Sequence, residues 1–186
     1  RAFGDFKRPI QKANLLKIAL QYCQSFEGMV ISHPINNELA GKGVMHEGIT
    51  STRIGLKGIP SMAESVQIAR DLEILKYSGG KLHIPNISTE AGLDLIRKAK
   101  KQGLKVSCSV GLPHLIFDDT KLESFDPNFK VFPPIRSKAD QQALRAGLLE
   151  GTIDMISSMH EPMNIEFKKL EFENAAAGSL GLESCF

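Results

Sequence analysis

Apolar positions recur every three or four residues through IQKANLLKIALQYCQSF and then give way to the short run GMVIS, which ends at His33. The first clear unit is therefore a helix followed by a strand. A polar, glycine-bearing stretch over roughly residues 34–59 reads as a connection leading to Pro60-Ser61. SMAESVQIARDLEILKYSG then predicts a long amphipathic helix, with Met62, Val66, Ala69, Ile74 and Leu75 on its buried stripe. KLHIPNIS, set between Gly79-Gly80 and the N-cap types Ser88-Thr89, is a strand feeding another helix. That helix, TEAGLDLIRKAKKQG, closes on Gly103, and LKVSCSV is the next strand. A loop rich in Asp and Pro, a helix from about Ser137 to Gly147 and the strand TIDMISS complete the pattern.

Four strands separated by helices, with a fifth ending at Ala2-Phe3, imply right-handed crossovers and an α/β fold with a parallel sheet. Val66, Ile74, Ile84 and Leu95 are expected between its layers. Periodicity alone allows either an open doubly wound sheet or part of a (β/α)8 barrel. No G-x-G-x-x-G follows any strand to favour the former.

Composition narrows the picture. The 186 residues can bury one core, and a chain that starts at Arg1 and stops after LESCF reads as a fragment of a longer protein. A formal charge of +2, with both signs interspersed, gives no footprint for nucleic acid or an anionic membrane. Cys23, Cys108 and Cys185 are odd in number and share no C-x-x-C spacing, which argues against a disulfide framework and for a reducing cytoplasm. No apolar run approaches the roughly 20 residues of a membrane span.

In a parallel α/β fold the carboxyl ends of the strands face the ligand crevice. Those ends carry Asp5, His33, Asn86, the region Val110 to His114, and Met159-His160. An Asp, two His and an Asn suit a metal or acid–base site. Each also has a plain structural reading: Asp5 capping the next helix, Asn86 holding the next loop, His83 facing the core or a helix from the opposite side of its strand, and His46 and His114 in loops.

The order of segments adds a further indication. VISHPINNELAGKGVMHEG, STRIGLKGIPSMAESVQIARDLEILKYSGGKLHIPNIST, KVFPPIR, GTIDMISSMHEP and GSLGLES together resemble the bacterial type I dihydroorotases of the amidohydrolase superfamily. The resemblance implies that residues 1–186 form one partial domain, the second part of a (β/α)8 TIM barrel plus the start of the C-terminal region. The family's His-x-His metal motif would precede Arg1. The implied reaction is the zinc-assisted hydrolysis of dihydroorotate in pyrimidine synthesis, with a carboxylate at the last strand handling the proton.

Carried over position by position, the resemblance implies metal binding by Asp5 and His33. Asn86 stands where the family pattern H-V-S-T has a ligand histidine, and an amide oxygen is a poor zinc donor beside imidazole. Met159 takes the place of the proton-transferring aspartate of T-D-H-A-P-H, and Phe132 that of the substrate-contacting asparagine of N-P-P-L-R. T-P-H-H-L has become Gly111-Leu112-Pro113-His114-Leu115. Glu47-Gly48, Gly55 to Pro60, Ser88-Thr89, Arg136 and Gly181-Leu182-Glu183 keep the family's fold-defining pattern. The expectation is a dihydroorotase scaffold with impaired catalysis, with zinc the family's metal but none bound tightly by this segment, acting as a binding or assembly partner of aspartate transcarbamoylase or of itself. The alternative is an active cyclic amidohydrolase with a rearranged site that draws on His114, His160 or Glu161.

Overall fold

The computed structural model describes residues 1–184, so Cys185 lies outside the described residues. The elements run β1 (Ala2–Gly4), α1 (Ala13–Gln24), β2 (Met29–Ile31), α2 (Asn37–Ala40), β3 (Met45–His46), α3 (Ile49–Ile54) and β4 (Gly58–Ile59). They continue with α4 (Met62–Ser78), β5 (Leu82–Ile87), α5 (Glu90–Lys101), β6 (Val106–Gly111), α6 (Leu112–Ile116), α7 (Lys138–Leu149) and β7 (Met155–Ser157). The principal sheet has five strands in the order β1-β2-β5-β6-β7, every pair parallel. Apart from the small β3-β4 sheet inserted between β2 and β5, that order is the order of the chain. It contains no reversal, and hence no switch point of the doubly wound kind.

The main core lies between the sheet and the long helices. Val30, Leu82, Ile84, Val106, Cys108 and Val110 join Leu16, Leu20, Ile68, Leu75, Leu93, Ile96 and Leu144 in one buried cluster. On β6 the cluster takes every second residue, as strand geometry requires, which leaves Ser107 and Ser109 for the opposite face. Helices α4 and α5 approach closely where Gly92 lies, since a Cβ there would stand 2.9 Å from Ile68 Cδ1 and 2.7 Å from Glu64 Oε1.

The strand and long-helix readings hold, and four details change. The stretch over residues 34–59 is more than a connection, because it folds into α2, β3, α3 and β4 around a second buried cluster of Ile35, Ala40, Ile59 and Ala63. The buried stripe of α4 is rotated from the expected one. Met62 and Val66 are exposed, Ile74 only half-buried, and the inward face is Ala63, Glu64, Gln67, Ile68, Asp71, Leu72 and Leu75. Three polar residues belong to that face because each finds a buried partner, and an apolar periodicity cannot register them. Of the four residues expected between the layers, Ile84 is fully buried, Ile74 and Leu95 partly, and Val66 is not. Finally, α1 starts at Ala13 with Lys12 as its N-cap, so Asp5 caps no helix; its carbonyl accepts instead from Arg8 N in a turn, at 2.8 Å.

Candidate functional site

The inner face of the sheet and its strand ends enclose a cavity of about 470 Å3 whose lining includes Asp5, Lys7, His33, His83, Pro85 and Asn86. Three of the strand-end residues singled out from sequence are thus together. His83 is with them, contrary to its reading as a residue of the core or helix side. Leu82 and Ile84 point to the helices, so His83 between them points inward, where its Nδ1 lies 2.9 Å from Ser107 Oγ. Strict alternation would put Asn86 on the other face from His83. The register of β5 against β6 slips between Ile84 and Ile87, and Asn86 has φ +52°, so the chain turns there and brings Asn86 to the cavity.

Asn86 is engaged through its backbone N–H and its side-chain oxygen. Its backbone N–H donates to Ser109 Oγ at 3.0 Å, and its Oδ1 accepts from Ser157 Oγ at 2.6 Å. His33 is buried with its Nε2 unpartnered, and its ring lies 5.7 Å from that of Phe132 at a tilt of 34°. Burial, reinforced by the Lys7 charge, pulls the His33 pKa down to about 4, so the ring is neutral at pH 7. Lys7 itself forms an ion pair with Glu161, and its desolvation lowers the ammonium pKa.

Met159 is turned onto the end of β6. A Cβ built on Gly111 would stand 2.0 Å from Met159 Sδ, and 2.9 Å from His114 Nδ1. His114 lies on α6 and His46 on β3, not in loops as expected; His114 is buried, its Nε2 donates to Pro133 O at 3.1 Å, and desolvation takes its pKa down to about 4. His160 lies outside the cavity, its Nδ1 accepting from Leu182 N at 3.3 Å.

Behind the mouth, α5 is anchored by a buried carboxylate. Glu64 accepts the backbone N–H groups of Ser88 and Thr89 at 3.0 and 2.9 Å, and both hydroxyls as well. Arg136 reaches the same place, donating from Nε to Ser88 Oγ at 3.1 Å and from Nη1 to Ile59 O at 2.7 Å. The junction between β5 and α5 is therefore held by groups from two separate segments, Glu64 of α4 and Arg136 ahead of α7. Sequence reading missed Glu64, Lys7 and Ser157. Lys7 had a signal, two residues past Asp5 at a strand end, whereas Glu64 looks like an ordinary helix-surface acid.

A zinc centre needs three or four converging donors. Among the described residues no group of three or more His, Cys, Asp or Glu side chains is placed to hold a metal ion. His33 Nε2 is shut in, and the Asn86 oxygen is occupied. The residues present do not fit a complete metal site.

The family model described as dihydro-orotase-like matches residues 2–92. The dihydroorotase of Ruminiclostridium cellulolyticum is 43% identical over 185 residues, covering 100% of this chain and 43% of that protein. The dihydroorotase of Pelobacter propionicus is 41% identical, covering 98% and 43%. Residues 2–92 thus match the dihydroorotase-like family, and the chain over its whole length is similar to dihydroorotases. It spans less than half the length of the curated relatives it matches. Among solved structures, the L-hydantoinase of Arthrobacter aurescens superposes with a TM-score of 0.82 at 23% identity, covering 98% of this chain and 43% of its own. The D-hydantoinase of a Thermus species gives 0.80 at 22%, with the same coverage. At that identity the likeness establishes the shared α/β fold of parallel strands and no more.

Proposed function

We propose that this chain is part of a dihydroorotase-family protein of pyrimidine biosynthesis in which metal-assisted hydrolysis is impaired and the retained scaffold serves binding or assembly. Aspartate transcarbamoylase or a second copy is the partner class. The five strands would be consecutive strands of a (β/α)8 barrel, consistent with their sequential order and with hydantoinase structures of which the chain covers 43%. Asp5 and His33 are the two positions left for a metal, and a two-ligand site is open and weak. The observation that carries the reading is Asn86: where the family pattern has a ligand histidine, this chain has an amide whose oxygen accepts from Ser157 Oγ at 2.6 Å.

An active site rearranged around His114, His160 or Glu161 has less support. His114 is buried against Pro133, His160 is bonded outside the cavity, and Glu161 is paired with Lys7.

The test is hydrolysis of dihydroorotate by the purified full-length protein, with metal analysis of the same sample. The expected result is no turnover above the uncatalysed rate for the full-length protein, and no stoichiometric zinc held by residues 1–186 alone. Turnover at an ordinary enzymatic rate, on the order of 1–1000 per second, would overturn the proposal. In a full-length protein carrying the family's His-x-His motif, the triple change Asn86→His, Phe132→Asn and Met159→Asp should raise zinc content and give trace turnover. Single changes should do little, because ligands and acid–base groups act as a unit.

A further inference from the structure

The strand ends are tied to one another by side chains of this chain at the positions where a ligand set would need free donors. Asn86 at the end of β5 takes the hydroxyl of Ser157 on β7 and gives its backbone N–H to Ser109 on β6, so one residue joins three strands. Lys7, just past β1, pairs with Glu161, just past β7, and so links the two outermost strands of the sheet across the cavity. Two of these positions, together with Met159 close to Ser157 in the chain, also share a backbone signature. Lys7, Asn86 and Met159 all lie in the left-handed region, with φ of 55°, 52° and 50°. Non-glycine residues hold that conformation only where their surroundings over-determine it. Asparagine is among the residues that tolerate it best.

We propose that the Asn86–Ser157 hydrogen bond is a latch that fixes the strand mouths without a metal, so that an ion is not needed to hold their shape. The inference rests on the reading of the mouth as a non-hydrolytic site. A bound ion would fix several strand ends by coordinating groups from each. Here a neutral bond between β5 and β7, backed by the Lys7–Glu161 pair, joins the same strand ends through the chain's own side chains. Asn86 suits the latch on two counts, since its amide offers the oxygen Ser157 needs and its short side chain tolerates the turn at the bulge.

The test is thermal unfolding of the full-length protein with EDTA, with added zinc, and through a double-mutant cycle at 86 and 157. The melting temperature should be the same in EDTA and in zinc. Asn86→Ala and Ser157→Ala should each lower it by a few degrees, and the double variant by no more than the larger single, because both remove one bond. Asn86→Asp keeps an oxygen acceptor and tolerates the left-handed backbone, so it should retain most of the parental value. A melting temperature that falls in EDTA and returns with zinc would overturn the latch, as would additive losses in the cycle. So would a silent Ser157→Ala, since the Asn86→Ala loss would then be backbone strain alone. Turnover of dihydroorotate by the same sample bears only on the hydrolytic reading, so the two can fail separately.

Discussion

On the helix-covered face of the sheet, Val30, Ile84, Leu93 and Val110 belong to one continuous apolar cluster. At the carboxyl ends of the same strands, Lys7, His33, Asn86 and Ser157 are polar, mostly bonded to distant segments, and in two cases held in the left-handed region. The covered face is stabilised by area removed from water, which is non-directional and tolerant of substitution within a volume. The mouth depends on individual bonds with fixed partners, so a single changed atom matters there. The two regions therefore answer to separate constraints, one set by buried area and the other by individual bonds.

The most forceful way to break this contrast is through Ile84, 1% exposed at the centre of the cluster. Ile84→Ala should cost about 2–5 kcal/mol in denaturant unfolding by lost transfer and cavity formation. A neutral result would place the core elsewhere.

Acid should test the mouth next. His114 is buried with its pKa down at about 4, below its ordinary value of 6.5. Its folded form resists a proton that the unfolded chain accepts, so its effect is absent above pH 6.5, grows as pH falls to about 4, and levels off below. The loss should be on the order of 3 kcal/mol. Unfolding curves across that window should be flatter for His114→Asn, and equal slopes would sink the assignment.

Glu64→Gln offers a milder probe of the anchor behind Asn86. The amide keeps one oxygen but loses the charge facing two N–H groups and two hydroxyls, for a loss of about 1–3 kcal/mol. A fall in the stability of α5 should appear as faster amide exchange at Ser88 and Thr89. The smallest effect should come from Val66, exposed on α4. Val66→Ser should stay within about 0.5 kcal/mol of the parent, whereas a larger loss in the full-length protein would show that another element covers that face.

Sequence pattern revealed the layer that depends on pattern. The alternation of β6 and the apolar periodicity of α1 and α5 placed strands and helices close to where they lie, because burial there follows period alone. The stripe of α4 was misplaced because Glu64 and Asp71 are buried through partners remote in the chain, as with Ser32 Oγ, which donates to Asp71 Oδ2 at 2.6 Å, and Gln67 is buried beside Asp71, to which it donates. At the site, Asp5, His33 and Asn86 were found because strand ends converge. Their companions His83 and Ser157 were not: His83 was assigned to the wrong face of its strand, although Leu82 and Ile84 take the helix side, and Ser157 arrives through a bond across 71 residues. The substitutions at Phe132 and Met159 were visible only against the family pattern.

Where the family pattern carries threonine, position 111 has no side chain, and the space a Cβ would fill is taken by the Met159 thioether on one side and the His114 ring on the other. The ring is fixed by its bond to Pro133, so only the methionine can give way. A side chain at 111 therefore needs the Met159 thioether to swing aside, so a change at either position is felt at the other.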